Sequence, residues 1–134
     1  MSFKRIEGSP NVQTYRRKAS VAIGSGDPAT ADSNGLVLVA GDVTAANLKG
    51  VFMDEVTSDS PDYAENTRIR VDIPNQSDVF LADVGTGTAT AAMEGHRYDL
   101  DSDGNVDVTS TSNNVVEIVK FISASKVTVR FVND

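Results

Sequence analysis

Apolar and polar residues alternate along several stretches of this chain with the period of two that is typical of β-strands. In residues 68–73, Ile69 and Val71 fall on one face, whereas Arg70 and Asp72 fall on the other. This alternation predicts a strand with one face buried and one face in solvent. The run ends before a proline, which lacks the backbone N–H that a strand ladder needs.

Similar alternation, or a continuous apolar run, predicts further strands at residues 20–23, 36–40, 51–56, 79–84, 106–108, 115–122 and 127–132. The last two runs are separated by four residues, a length that predicts a β-hairpin. Residues 42–50 could form one or two helical turns, and residues 24–35 are rich enough in Gly, Pro and Asp to predict a surface loop. Seven to eight short strands separated by turns predict one all-β domain, a small barrel or sandwich with at most one short helix.

The N-terminal residues 1–19 show neither strand nor helix periodicity, and a Gly-Ser-Pro sequence interrupts them. This lack of periodicity predicts a flexible arm that precedes a domain of residues 20–134. Residues 1–26 carry five basic residues against one Glu, a balance of +4, which leaves −11 for the rest of a chain whose net charge is −7. The acidic domain argues against general nucleic-acid binding, because phosphate affinity depends on clustered Lys and Arg.

Composition excludes several kinds of site. The chain has 134 residues, no Cys and one His, so it offers no disulfide, no thiol nucleophile and none of the usual zinc-ligand spacings. It contains no apolar run long enough to span a bilayer and no secretory signal, so we expect synthesis in a cytoplasm and no membrane partner.

An aspartate-rich turn is the strongest local motif. Its spacing, with Gly104 at the sixth position, matches the first half of a calcium-binding loop. The position of the bidentate Glu is occupied by Ser110, and the flanking residues predict strands, so we expect a solvated turn without a metal. A calcium-binding β-domain remains the alternative, with these carboxylate ligands: Asp99, Asp101, Asp103 and Asp107.

Neither the glycine-rich residues 85–90 nor His96 completes a phosphate-binding or catalytic motif, so we expect no enzyme activity and no cofactor. The N-terminal arm is the better functional candidate, although it could also be a tail without a role. An arm of this kind can fold on contact and fill pockets of a partner with its apolar side chains. The candidate partner-binding residues are Phe3, Lys4, Arg5, Ile6, Val12, Tyr15, Arg16, Arg17 and Lys18.

Five segments follow one recognisable pattern: residues 38–42 (LVAGD), the glycine-rich residues 85–95, residues 96–100 (HRYDL), residues 104–107 (GNVD) and the final hairpin at 115–131. Over residues 20–133 the chain resembles the capsid decoration (cement) proteins of tailed bacteriophages, the group that includes the head decoration protein of phage lambda. The resemblance rests on turn and strand patterns along most of the chain.

The resemblance implies a small β-barrel or β-tulip domain that forms homotrimers on the outer surface of the virion. It also implies that the N-terminal arm docks on the major capsid protein and bridges neighbouring subunits, without catalysis or cofactor. On this hypothesis, deletion of residues 1–18 should abolish attachment and leave the barrel folded. Another virion β-module, such as a tail-tube or baseplate domain, is the alternative within the same class.

Overall fold

The computed structural model describes residues 3–32, 34, 37–38 and 48–132. Within these ranges the secondary structure is almost entirely β, and the one helical element described is a 3-10 turn at Ala91–Met93. The strands are β1 (Lys4–Glu7), β2 (Val12–Arg16), β3 (Pro28–Ala31), β4 (Val37–Leu38), β5 (Leu48–Phe52), β6 (Arg68–Asp72), β7 (Val79–Thr86), β8 (Arg97–Leu100), β9 (Val106–Asp107), β10 (Val116–Ser123) and β11 (Lys126–Phe131).

The first sheet closes into a small barrel. Its strand order is β1-β7-β11-β10-β8-β9, and β9 also pairs in parallel with the end of β7, which completes the ring. Strand β1 pairs with residues 79–81 at the beginning of β7. It uses the edge of β7 that pairs with β9 nearer the end of the same strand. The first strand of the chain therefore adds to a barrel whose other strands come from residues 79–131.

The second sheet has the order β2-β6-β5-β3-β4. A bridge between Arg17, just after β2, and Val37 in β4 brings the two ends of this sheet together. Because a strand places alternate side chains on opposite faces, β6 buries Ile69 and Val71 inside this sheet and exposes Arg70 outside it.

The fold has two apolar cores, one at each sheet, and Val51 of β5 joins the core of the first sheet. The core of the first sheet is the larger and contains the aromatic residues Phe3, Phe80 and Phe131. The second core is built around Phe52, Ile23 and the inner residues of β6. Burial of apolar surface from strands that are distant in sequence is the main stabilising contribution in such a fold.

The prediction of a small all-β barrel domain is confirmed, and the predicted hairpin is β10–β11. Strand β10 contains two bulges, in which Val119 and Ile122 are the extra residues relative to β11. Bulges redirect side chains, and these two residues are 43% and 50% exposed. The bulges explain why the sequence of β10 is apolar on both faces.

Other predictions need correction. The loop predicted at residues 24–35 contains the buried strand β3, in which Ala29 is fully enclosed. The strand predicted at residues 20–23 is reduced to a single bridge between Ile23 and Val56. The predicted helical turns at residues 42–50 lie outside the described residues as far as residue 47, and the remainder begins β5.

The prediction of a flexible N-terminal arm is wrong for the residues that the structure describes. Strand β1 belongs to the first sheet and β2 belongs to the second, so the segment joins both. The sequence pattern misses this because the segment is held by isolated buried side chains, Phe3 and Arg17, and lacks a continuous apolar face. Deletion of residues 1–18 would remove two strands and is not a neutral truncation.

Candidate interaction surface

Strand β1 is fixed by one aromatic and one ionic anchor. Phe3 is 4% exposed, and its ring centroid lies 4.9 Å from that of Phe131. Arg5 binds both carboxylate oxygens of Asp72, with Nη2–Oδ1 and Nε–Oδ2 distances of 2.7 and 2.9 Å, and its Nη1 lies 2.9 Å from Asp78 Oδ2. The guanidinium also lies 4.8 Å from the ring centroid of Phe80, a cation–π distance.

These contacts favour the charged forms of Arg5 and Asp78. The hydrogen bond to Asp72 raises the pKa of Arg5. Burial of Asp78 raises its pKa, but the backbone N–H of Asn75 and the guanidinium of Arg5 outweigh this effect and keep the pKa below its ordinary value. The ion pair therefore links β1 to the end of β6 and to the turn before β7 at neutral pH.

Arg17 is an internal structural residue. It is 1% exposed, its Nη1 donates to the carbonyl oxygen of Tyr63 at 3.3 Å, and its Nη2 donates to the carbonyl oxygen of Asp62. Its backbone N–H donates to the carbonyl oxygen of Thr67 at 2.9 Å. This buried cation fixes the loop before β6 and is not available to a partner.

The outward face of the second sheet carries a row of cations. Arg16 in β2 lies directly opposite Arg68 in β6, and Arg70 follows two residues further along β6. Lys18 extends the row beyond β2, since alternate residues share a face. We call this surface the basic face; it comprises Arg16, Lys18, Arg68 and Arg70.

Two cations of the basic face have acidic partners. Arg70 Nη2 lies 2.6 Å from Asp54 Oδ1, and this hydrogen bond lowers the pKa of Asp54. Lys18 Nζ lies 3.3 Å from Asp32 Oδ2. For Arg16 and Arg68, the described part of the chain supplies only carbonyl and hydroxyl acceptors.

The structure divides the predicted partner-binding residues into two groups. Phe3, Arg5 and Arg17 are committed to internal contacts, and Tyr15 packs against the second core. The exposed residues are Lys4, Ile6, Val12, Arg16 and Lys18. Sequence reasoning missed Arg68 and Arg70; their place on the polar face of residues 68–73 was visible, but their pairing with β2 was not.

The aspartates of the turn do not converge on a common point. Asp99 is buried, and its Oδ1 accepts the backbone N–H groups of Asn113 and Asn114 at 2.6 and 2.7 Å. Burial raises the pKa of Asp99, but the hydroxyl of Ser110 and the backbone N–H groups of the same loop outweigh it and lower the pKa overall. Asp99 therefore anchors the loop that joins β9 to β10.

Asp101 and Asp107 are also bound within their own turns. Asp101 Oδ1 accepts the N–H groups of Asp103 and Asn105, and Asp107 Oδ1 accepts the N–H and hydroxyl groups of Thr109. Among the residues described here, no group of three or more His, Cys, Asp or Glu is placed to hold a metal ion.

The glycine-rich segment packs against this aspartate turn. The hydroxyl of Thr86 donates to Asp101 Oδ2 at 3.0 Å, where β7 pairs with β9. A Cβ atom at Gly85 would lie 2.4 Å from the same carboxylate oxygen, so only glycine fits without a shift. The glycine-rich segment and the aspartate turn therefore pack against each other.

Two clefts flank Phe3 at the seam between the sheets, with volumes of about 320 and 180 Å³. The larger is lined by Leu81 and by the ion pair between Lys126 and Asp83, whose Nζ–Oδ1 distance is 2.5 Å. Lys4, which is exposed, also lines this cleft.

No protein-family model matches this chain, and no curated protein matches it either. Among the described residues, no helix has the length and apolar character required to cross a membrane.

Proposed function

We propose that this protein is a non-enzymatic structural component of a phage virion that binds the outside of the head. In this proposal it stabilises the capsid by bridging subunits of the major capsid protein, as a homotrimer. The proposal is supported by the resemblance of residues 20–133 to capsid decoration proteins. The structural observation that carries it is a basic and apolar outer surface on the two N-terminal strands, in a chain whose net charge is −7.

The anchoring of these strands favours binding. A segment already held by buried contacts loses little conformational entropy when a partner docks on it, whereas a flexible arm must be ordered at that moment. The exposed residues combine charge with apolar area, since Ile6 and Val12 are 48% and 42% exposed. Repetition around a symmetric shell would multiply a modest affinity at each contact.

Purified virions provide the direct test of this proposal. It predicts many copies of the protein in a fixed ratio to the major capsid protein, and a trimeric mass for the free protein in light scattering. Rings or hexamers located in the tail would instead identify a tail-tube or baseplate module. Absence of the protein from virions would refute the proposal.

Surface variants are better suited than truncation to identify the docking residues. A double charge reversal, Arg16→Glu with Lys18→Glu, is expected to abolish attachment to heads that lack the protein while leaving the fold intact. The control is Lys120→Glu, at an exposed position on β10 in the other sheet. Equal attachment of both variants would rule out docking through the N-terminal strands.

A further inference from the structure

Arg16 and Arg68 occupy the positions at which a β-ladder brings side chains closest together. The Arg17 N–H donates to the Thr67 carbonyl, so that pair is hydrogen-bonded and the adjacent pair, Arg16 with Arg68, is not. Side chains of such a pair share a face, with Cβ atoms about 4.5–5.5 Å apart. Two permanently charged side chains therefore start from directly opposite positions on one face.

The two guanidinium groups reach in opposite directions along the sheet. Arg16 Nη1 donates to the carbonyl oxygen of Asn66 at 3.3 Å, and Arg68 Nη1 donates to the carbonyl oxygen of Thr14 at 3.2 Å. Like charges directly opposite each other are unfavourable in a sheet. Each guanidinium has five N–H donors, and these backbone contacts use only a small part of that capacity.

The neighbouring charged residues on this face each have a partner of opposite charge. On the same face, Asp72 is paired with Arg5, and Arg70 is paired with Asp54. Lys18 is paired with Asp32. Within the described ranges, the pair at Arg16 is the one place on this face where cations have no carboxylate. We propose that Arg16 and Arg68 bind carboxylates of one acidic segment of a partner protein.

A protein segment fits this surface better than a nucleic acid. The guanidinium fork matches a carboxylate in a bidentate geometry. A long polyanion would also meet the remainder of a chain with net charge −7 and would be repelled, whereas a short acidic segment contacts only the basic face. Val12, exposed on the same face of β2, adds an apolar contact that a phosphate backbone would not use.

The inference deepens the proposed function and rests on it for the identity of the partner, the capsid surface. Carboxylate recognition itself can be measured without a capsid. The probe is a capped peptide of alternating Glu and Ser, titrated into the isotope-labelled protein while the Nε–Hε signals of the arginines are followed by NMR. We expect saturable shifts at Arg16 and Arg68, and no shift at Arg130, which is paired with Glu117.

Variants give the quantitative test. Arg16→Gln or Arg68→Gln is expected to weaken peptide binding at least about tenfold, because charge-assisted hydrogen bonds are lost. Arg68→Lys is expected to weaken it as well, since an ammonium cannot bind in the bidentate geometry. Lys120→Gln, which removes the same charge from another surface, is expected to leave the affinity within about twofold.

Two results of the binding measurements would overturn the inference. One is an equal loss of affinity in Lys120→Gln, which would mean general charge attraction. The other is equal or tighter binding of a single-stranded oligonucleotide with the charge of the peptide, which would mean a polyanion site. Peptide binding without capsid attachment would refute the proposed function alone, and normal attachment of Arg68→Gln would refute this inference alone.

Discussion

Replacement of Phe3 by Ala is expected to destabilise the entire domain, although this residue lies next to the N-terminus. Phe3 is 4% exposed and packs against Phe131 in the larger core. A buried Phe→Ala substitution costs about 3–5 kcal/mol of unfolding free energy. A cleft of about 320 Å³ already lies beside the ring, so water can reach the vacated space, and we expect a loss near the lower limit, about 3 kcal/mol.

Urea unfolding followed by tyrosine fluorescence measures this loss. With a slope of about 1–3 kcal/mol per molar urea, the midpoint should fall by about 1–3 M. Ile6→Ala is the matched control, because Ile6 lies in β1, which begins directly after Phe3, and is 48% exposed. This substitution should change stability by no more than about 0.5 kcal/mol. Equal midpoints for the two variants would show that β1 is not docked and that the segment is a flexible arm.

Three further predictions test separate parts of the structure. Arg68→Glu should raise the unfolding free energy by about 0.2–1 kcal/mol, because it converts a like-charge cross-strand pair into an ion pair, and a lower thermal midpoint would contradict this. Asp99→Asn should cost about 1–3 kcal/mol at pH 7. Since the folded-state pKa of Asp99 is lowered, its contribution is present above the ordinary Asp pKa of about 3.9 and is lost as the pH falls through the folded value. The difference from wild type should therefore shrink in acid, and a difference independent of pH would refute the role of the charge. Gly8 and Gly95 have similar positive φ angles, so replacing either residue by Ala carries a backbone cost of about 1–2 kcal/mol. Of the two, only a Cβ atom at Gly8 would collide with Asp78. Gly8→Ala should therefore lose clearly more stability than Gly95→Ala in the same urea assay.

The regular strands could be predicted from the sequence because their signal is local. The alternation in residues 68–73 became β6, and the two apolar runs near the C-terminus became the hairpin β10–β11. Strand β3 could not be predicted, because Pro28 and Ala29 have low strand propensity and the strand is placed by its neighbours β4 and β5.

The candidate interaction surface was predictable only in part. The sequence indicated that Arg16 belongs to a basic segment, and it placed Arg68 on the polar face of a strand. Their juxtaposition depends on the register between β2 and β6, which are separated by most of the second sheet along the chain. Long-range register of this kind has no local signature. The burial of Arg17 is also hidden, because a basic residue is normally expected in solvent.

The central claim is that the N-terminal segment forms two fixed strands, β1 and β2, and we propose that a partner binds their outer side. Amide hydrogen exchange of the free protein tests it at single residues. The register predicts slow exchange at Gln13, Tyr15 and Arg17, whose N–H groups point towards β6, and fast exchange at Thr14 and Arg16, whose N–H groups point away from it. Uniformly fast exchange across all five amides would contradict the account.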